Sequence, residues 1–112
     1  MKLKPGVKLA NVAPELVLAL TVCDGVYVAQ TGREMTVTSL GDGAHSTSSK
    51  HYPRNNPDGK VRAADLRIKD IERAFWVILA GRIRTALGVE FDVVLETHSL
   101  GNEHIHVEFD PK

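Results

Sequence analysis

The sequence predicts an α+β domain, a small and mainly antiparallel sheet with helices packed on one face. Two stretches carry apolar residues at helical spacing, and the segments after each of them alternate with the period of two that marks a half-buried strand. A long polar stretch without periodicity interrupts this pattern near the middle of the chain.

The first helix opens at Pro14, a residue suited to a first turn, and Leu16, Leu20, Cys23 and Tyr27 recur along one face up to Gly32. The β-branched run 35–40 reads as a strand that breaks into Gly41-Asp42-Gly43. Residues 41–60 then read as a loop. Long loops are uncommon in compact domains unless they are functional or disordered, so this one directs attention to chemistry. Residues 61–68 alternate, with Val61, Ala63, Asp65 and Arg67 on one face and Arg62, Ala64, Leu66 and Ile68 on the other, so Asp65 projects from a sheet. Over 70–87, Ile71, Phe75, Ile78, Leu79, Ile83 and Leu87 form an apolar stripe that ends at Gly88, a capping position. Phe75, Trp76 and this stripe read as core. Two further strands follow: Phe91, Val93 and Leu95 alternate against Asp92, Val94 and Glu96, and Ile105, Val107 and Phe109 alternate against His104, His106 and Glu108. The short turn 99–102 joins them.

A chain of 112 residues holds one domain. Its apolar share of 43% and charged share of 25% are those of a folded soluble domain. Lys plus Arg equals Asp plus Glu at 14 each, so no broad positive field exists to attract nucleic acid or an anionic membrane, and neither partner is expected. Cys23 is the single cysteine, which excludes an internal disulfide and cysteine-rich metal motifs and reads as a small buried hydrophobe. The early lysines precede an apolar stretch, but Pro5, Lys8, Asn11, Pro14 and Glu15 interrupt it, so no signal peptide is read and synthesis in the cytoplasm is expected. No run has the length of a membrane span.

If Ile105, Val107 and Phe109 face the core, His104 and His106 share the opposite face, with Glu103 at the strand entrance and Asp65 on a strand that can lie alongside. His, Asp and Glu together suit zinc, which takes imidazole nitrogen and carboxylate oxygen and, in catalytic sites, keeps one position for water. The long loop offers His51 as a further ligand. His45 is its rival there, and Glu108 is an alternative carboxylate to Glu103.

Ser49, His51, Tyr52, Ala63, Asp65 and Arg67 resemble the Ser-x-His-x-x-Gly-x-Ala-x-Asp motif of the zinc D-Ala-D-Ala metallopeptidase family, whose fold is shared with hedgehog-type proteins, and in particular its phage-encoded members. Glu103-His104-Ile105-His106 is similar to the family's Glu-x-x-His element. The resemblance implies a Zn2+ ion held by His51, Asp65 and His106 on the sheet face away from the helices, with Glu103 as catalytic base. It puts His104 and Ser49 beside the reacting carbonyl. His45 lacks the Ser and Tyr neighbours that accompany His51. The implied substrate is a peptidoglycan stem peptide, cleaved by a D-Ala-D-Ala carboxypeptidase or an L-Ala-D-Glu-type endopeptidase. A phage endolysin or other cell-wall hydrolase fits, acting after release or within a virion. The alternative is a non-catalytic zinc-binding module of a phage particle with the same fold.

Two departures from the family pattern stand out. The stretch Pro53-Arg54-Asn55-Asn56-Pro57-Asp58-Gly59-Lys60 lengthens the gap between His51 and Asp65, and Val61 stands where the motif has Gly. This insertion is expected to loop outward and leave the ligands alone, because lengthening a surface loop costs little. Residues 38–43 also lack the arginine that helps many family members bind substrate, which makes Arg54 and Lys60, with Arg67 a third, the candidate cations for a substrate carboxylate, and Tyr52 is a further candidate substrate-binding residue.

Overall fold

The first helix, α1 (Pro14–Thr31), starts on a proline that needs no partner for its missing N–H and carries Glu15 in the electropositive first turn. It stops at Gly32, whose φ of 71° is the left-handed conformation that costs glycine nothing, and the Gly32 N–H bonds the Val28 carbonyl at 2.8 Å. Leu16, Leu20, Cys23 and Tyr27 are all buried, as their spacing predicts. Burial pushes the Cys23 thiol up to about 12, so it is an inert apolar group at neutral pH. The computed structural model describes residues 1–41, 49–98 and 100–112.

Five strands follow the alternation of the sequence: β1 (Lys2–Leu3), β2 (Thr36–Ser39), β3 (Ala63–Arg67), β4 (Phe91–Glu96) and β5 (His104–Phe109). Their order across the sheet is β1-β2-β3-β5-β4. β2 with β3, β3 with β5 and β4 with β5 pair antiparallel, whereas β1 runs parallel to β2. The sheet is therefore mixed, which corrects the expectation of a mainly antiparallel one. A two-residue edge strand is too short to show a period in the sequence. It is held by Lys2 N–H to the Met35 carbonyl at 2.8 Å and Lys4 N–H to the Val37 carbonyl at 2.9 Å.

The second helix corrects the predicted stripe. A 3-10 turn (Arg73–Phe75) precedes α2 (Trp76–Leu87), and the buried face is Trp76, Leu79, Ala80 and Ile83. Phe75 and Ile78, expected in the core, are 47% and 48% exposed. A 3-10 turn advances three residues per turn and not 3.6, so it takes Phe75 out of phase with the helix behind it. Trp76 occupies the core side instead, its indole N–H shared between the carbonyls of Ile68 and Ile71 at 3.0 Å each.

Both helices contribute to one core with Val37, Ala64, Leu66, Val93, Ile105 and Val107 from the sheet. By the alternation of strand side chains, Asp65, His104, His106 and Glu108 then stand on the other face. Among the described residues no helix is long and apolar enough to cross a membrane.

Candidate metal centre

The pairing of β3 with β5 sets Asp65 directly across from His106 and Arg67 across from His104. On the other side of β5, Glu96 of β4 is the partner of His104. This register places the carboxylates of Asp65 and Glu96 and the imidazoles of His104 and His106 on a common face. His51 approaches from the chain before β3, and its ring meets that of His106 edge-on with centroids 5.2 Å apart.

The distances are those of a cluster. His106 Nδ1 lies 2.9 Å from Asp65 Oδ1, and the Nε2 atoms of His51 and His104 lie 3.4 Å and 3.5 Å from the same oxygen. His51, Asp65 and His106 each offer a ligand atom within 4.8 Å of the others, a group that can hold a metal ion. A tetrahedral ion with ligands at about 2.0–2.2 Å sets neighbouring ligand atoms roughly 3.3–3.6 Å apart, so contraction or expansion by a few tenths of an ångström fits the two contacts of Asp65.

The remaining ring nitrogens support that fit. A carbonyl can only accept, so the contact of His51 Nδ1 with the Leu40 carbonyl puts a proton on Nδ1 and makes Nε2 the nitrogen that faces Asp65. His106 Nε2 faces Glu108 Oε1 at 3.2 Å, which leaves Nδ1 for an ion. Imidazoles that bind metals are oriented by such a carbonyl or carboxylate on the second nitrogen. His51 is 3% exposed, so its Nε2 is directed into protein and not into solvent.

The electrostatics follow from the packing. Burial alone would lower the His106 imidazole, but its hydrogen bonds to Asp65 and Glu108 and the charges of both carboxylates raise it to about 10. Burial alone would raise the Asp65 carboxyl, but hydrogen bonds from His106 and His51 hold it well below the usual carboxylate range. An anion is thus stabilised among imidazoles, the situation a cation would exploit.

The other sequence candidates sit as follows. His104 donates Nδ1–H to the Asn102 carbonyl at 2.9 Å, and its Nε2 stands between Asp65 Oδ1 and Glu96 Oε2, the latter at 3.4 Å. Glu103 forms an ion pair with Arg73 at 3.5 Å, and among the described residues the carboxylates in contact with the histidines are Asp65, Glu96 and Glu108. Ser49 Oγ accepts the N–H of His51 at 3.1 Å, a local turn that shapes the backbone at the ligand. Tyr52 is half-buried and Arg54 exposed, with the guanidinium 5.2 Å over the Tyr52 ring. Arg67 is half-buried across from His104. His45 lies outside the described residues.

The insertion is exposed at Arg54, Asn55, Pro57, Asp58 and Gly59, as an outward loop is, and is anchored inward at one residue. It folds into a 3-10 turn (Pro53–Asn55) and buries Asn56, and its two ends meet where the Arg62 N–H bonds the Lys50 carbonyl at 3.1 Å. Sequence reasoning also passed over Glu96, which the pairing of the last two strands would have revealed, and the Leu40 carbonyl, a backbone group with no residue signature. Gly41 was read only as a loop residue. A Cβ there would meet Val61 Cγ2 at 2.7 Å and the His51 carbonyl oxygen at 3.4 Å, so glycine lets the His51 segment come close.

No protein-family model matches this chain, and no curated protein matches it in sequence.

Proposed function

We propose that this chain is a zinc-dependent hydrolase that cleaves peptide bonds in peptidoglycan stem peptides, a member of the D-Ala-D-Ala metallopeptidase type. The observation that carries the proposal is the convergence of His51 Nε2, Asp65 Oδ1 and His106 Nδ1, with the second nitrogen of each imidazole tied to the Leu40 carbonyl or to Glu108. Two imidazoles and a carboxylate suit zinc, and three protein ligands leave a fourth position open. Bound there, zinc would supply Lewis-acid polarisation of a carbonyl and an acidified water.

The chain's own residues supply the rest. Glu108 and the Leu40 carbonyl hold the two imidazoles in their ligating tautomers. His104 Nε2, beside Asp65 and backed by Glu96, accepts a proton and returns it to the leaving amine. The resemblance gives that role to Glu103; the engagement of Glu103 by Arg73 favours His104. Ser49 acts through the His51 backbone, and Tyr52, Arg54 and Arg67 are assigned as contacts for the substrate peptide and its carboxylate. Action at the cell wall, after release as a phage endolysin or from within a virion, goes with this reading.

The second reading is a non-catalytic zinc-binding module of a phage particle, favoured by the same Glu103–Arg73 pair, which occupies the carboxylate the family uses as base. Digestion of purified peptidoglycan with mass spectrometry of the products separates the two. New stem-peptide fragments that vanish with a chelator and return with zinc support the hydrolase. Stoichiometric zinc with intact peptidoglycan supports the module.

A further inference from the structure

We propose that Asn56, inside the inserted stretch 53–60, is a positioning residue for the ligand His51; the proposal rests on the metal-site reading above. Asn56 comes from the most polar part of the chain and yet is only 7% exposed. Its Nδ2 donates its two hydrogens to the carbonyls of Lys60 at 2.7 Å and Lys50 at 2.9 Å, and the Tyr52 carbonyl at 3.4 Å shares one of them. Lys50 and Tyr52 are the residues on either side of His51. Lys60 lies on the opposite limb, which runs on into β3 and Asp65. One amide therefore ties the segment that carries the first ligand to the segment that leads to the second.

The orientation of that amide is dictated by its surroundings. Three carbonyl oxygens converge on one end of it, and only the NH2 group can face acceptors. Its Oδ1 is buried without a hydrogen-bond partner among the described residues. An unpaired buried acceptor is unfavourable, and the side chain is nevertheless drawn into this position by the carbonyls that accept from its NH2 group. The main chain reinforces it, since the Asn56 N–H bonds the Pro53 carbonyl and the Gly59 N–H bonds the Asn56 carbonyl, both at 3.0 Å. The distance between the ligand segments is thus set by cross-ties, the Asn56 amide together with the Arg62 N–H to Lys50 carbonyl bond, and not by the number of residues in the gap. This is how a lengthened gap delivers His51 Nε2 to within 3.4 Å of Asp65. A second clamp offers a comparison: Asn11 Nδ2 donates to the Gly59 carbonyl at 2.9 Å, holding the outer limb of the same loop without touching the His51 limb.

The test compares the parent protein with Asn56→Asp, Asn56→Ser and Asn11→Gly; glycine is chosen at 11 because φ there is 57°. Zinc affinity is measured by chelator competition, the coordination sphere by the visible absorption of the cobalt(II)-loaded protein, and stability by thermal unfolding without metal. Asn56→Asp, nearly isosteric but without donors, should weaken zinc on the order of 10–100-fold and change the cobalt spectrum. Asn56→Ser, which keeps one donor, should fall between it and the parent, and it carries the comparison if Asn56→Asp does not fold. Asn11→Gly should lose stability while keeping the parent's zinc affinity and cobalt spectrum. Parent-like affinity and spectrum in both Asn56 variants would overturn the proposal, as would an equal loss in Asn11→Gly, which would mark general loosening of the loop. A parent that takes up neither zinc nor cobalt overturns the metal-site reading itself, and this proposal with it.

Discussion

His106 Nδ1 and Asp65 Oδ1 stand 2.9 Å apart at directly paired positions of two antiparallel strands, so the backbone ladder itself sets the spacing between two of the three candidate ligands. The third, His51, has no ladder and depends on the loop around it. Each half of this arrangement makes predictions.

Replacement of His106 by Ala should strip zinc from the purified protein, because two ligands remain where three are needed. His104→Ala should retain it, since His104 Nε2 contacts Asp65 but is not part of the converging group. Metal content by mass spectrometry reads both. Full occupancy in His106→Ala with loss in His104→Ala would exchange the two roles.

Zinc uptake should release about one proton at neutral pH. With its folded value raised from 6.5 to about 10, the metal-free His106 imidazole is protonated on both nitrogens, and its Nδ1 must lose that proton to bind the ion. Calorimetry in buffers of different ionisation enthalpy counts the proton. A raised value stabilises the folded protein fully below 6.5 and is lost as pH climbs through about 10, so the metal-free protein should lose stability across that window. The zinc-loaded protein should lose less, because the ion replaces the proton. A metal-free protein equally stable at pH 6.5 and pH 10 would contradict the charged pair.

Proton handling is tested by His104→Ala beside Glu103→Gln. Turnover on stem peptides should fall by a factor on the order of a hundred to ten thousand in the first with zinc retained, the usual worth of a general acid–base group. In the second the fall should be under about tenfold, because the Glu103 carboxylate is engaged by Arg73. The larger loss in Glu103→Gln would return the role of base to Glu103.

At Gly41 a methyl group has no room. Gly41→Ala should destabilise the protein by about 1–3 kcal/mol, since the added Cβ presses on Val61 Cγ2, and weaken zinc binding if relief of that clash moves the adjoining His51 backbone. Adding Val61→Ala removes the atom in closest conflict, so the double variant should recover part of the zinc affinity. No recovery would mean that the glycine serves some other contact.

Much of this molecule is legible from residue order, for reasons of local physics. Period-two alternation put Asp65, His104 and His106 on one face, and the 3.6-residue period found the buried side of α1, because each rests only on where side chains point along a regular backbone. The chemistry of the ligand types was equally readable, since imidazole and carboxylate suit a divalent ion wherever they stand. The remainder depends on contacts between segments far apart in sequence. The parallel edge pairing of β1, the exposure of Phe75 behind a 3-10 turn and the Glu103–Arg73 pair leave no local period. The burial of Asn56 within the exposed insertion is of the same kind: its polar composition suggests solvent, but backbone carbonyls that assemble only in the folded chain draw this side chain inside. Hydrogen-bond acceptors supplied by the backbone carry no residue identity, so the Leu40 carbonyl that orients His51 and the carbonyls that hold Asn56 were decided by tertiary structure alone.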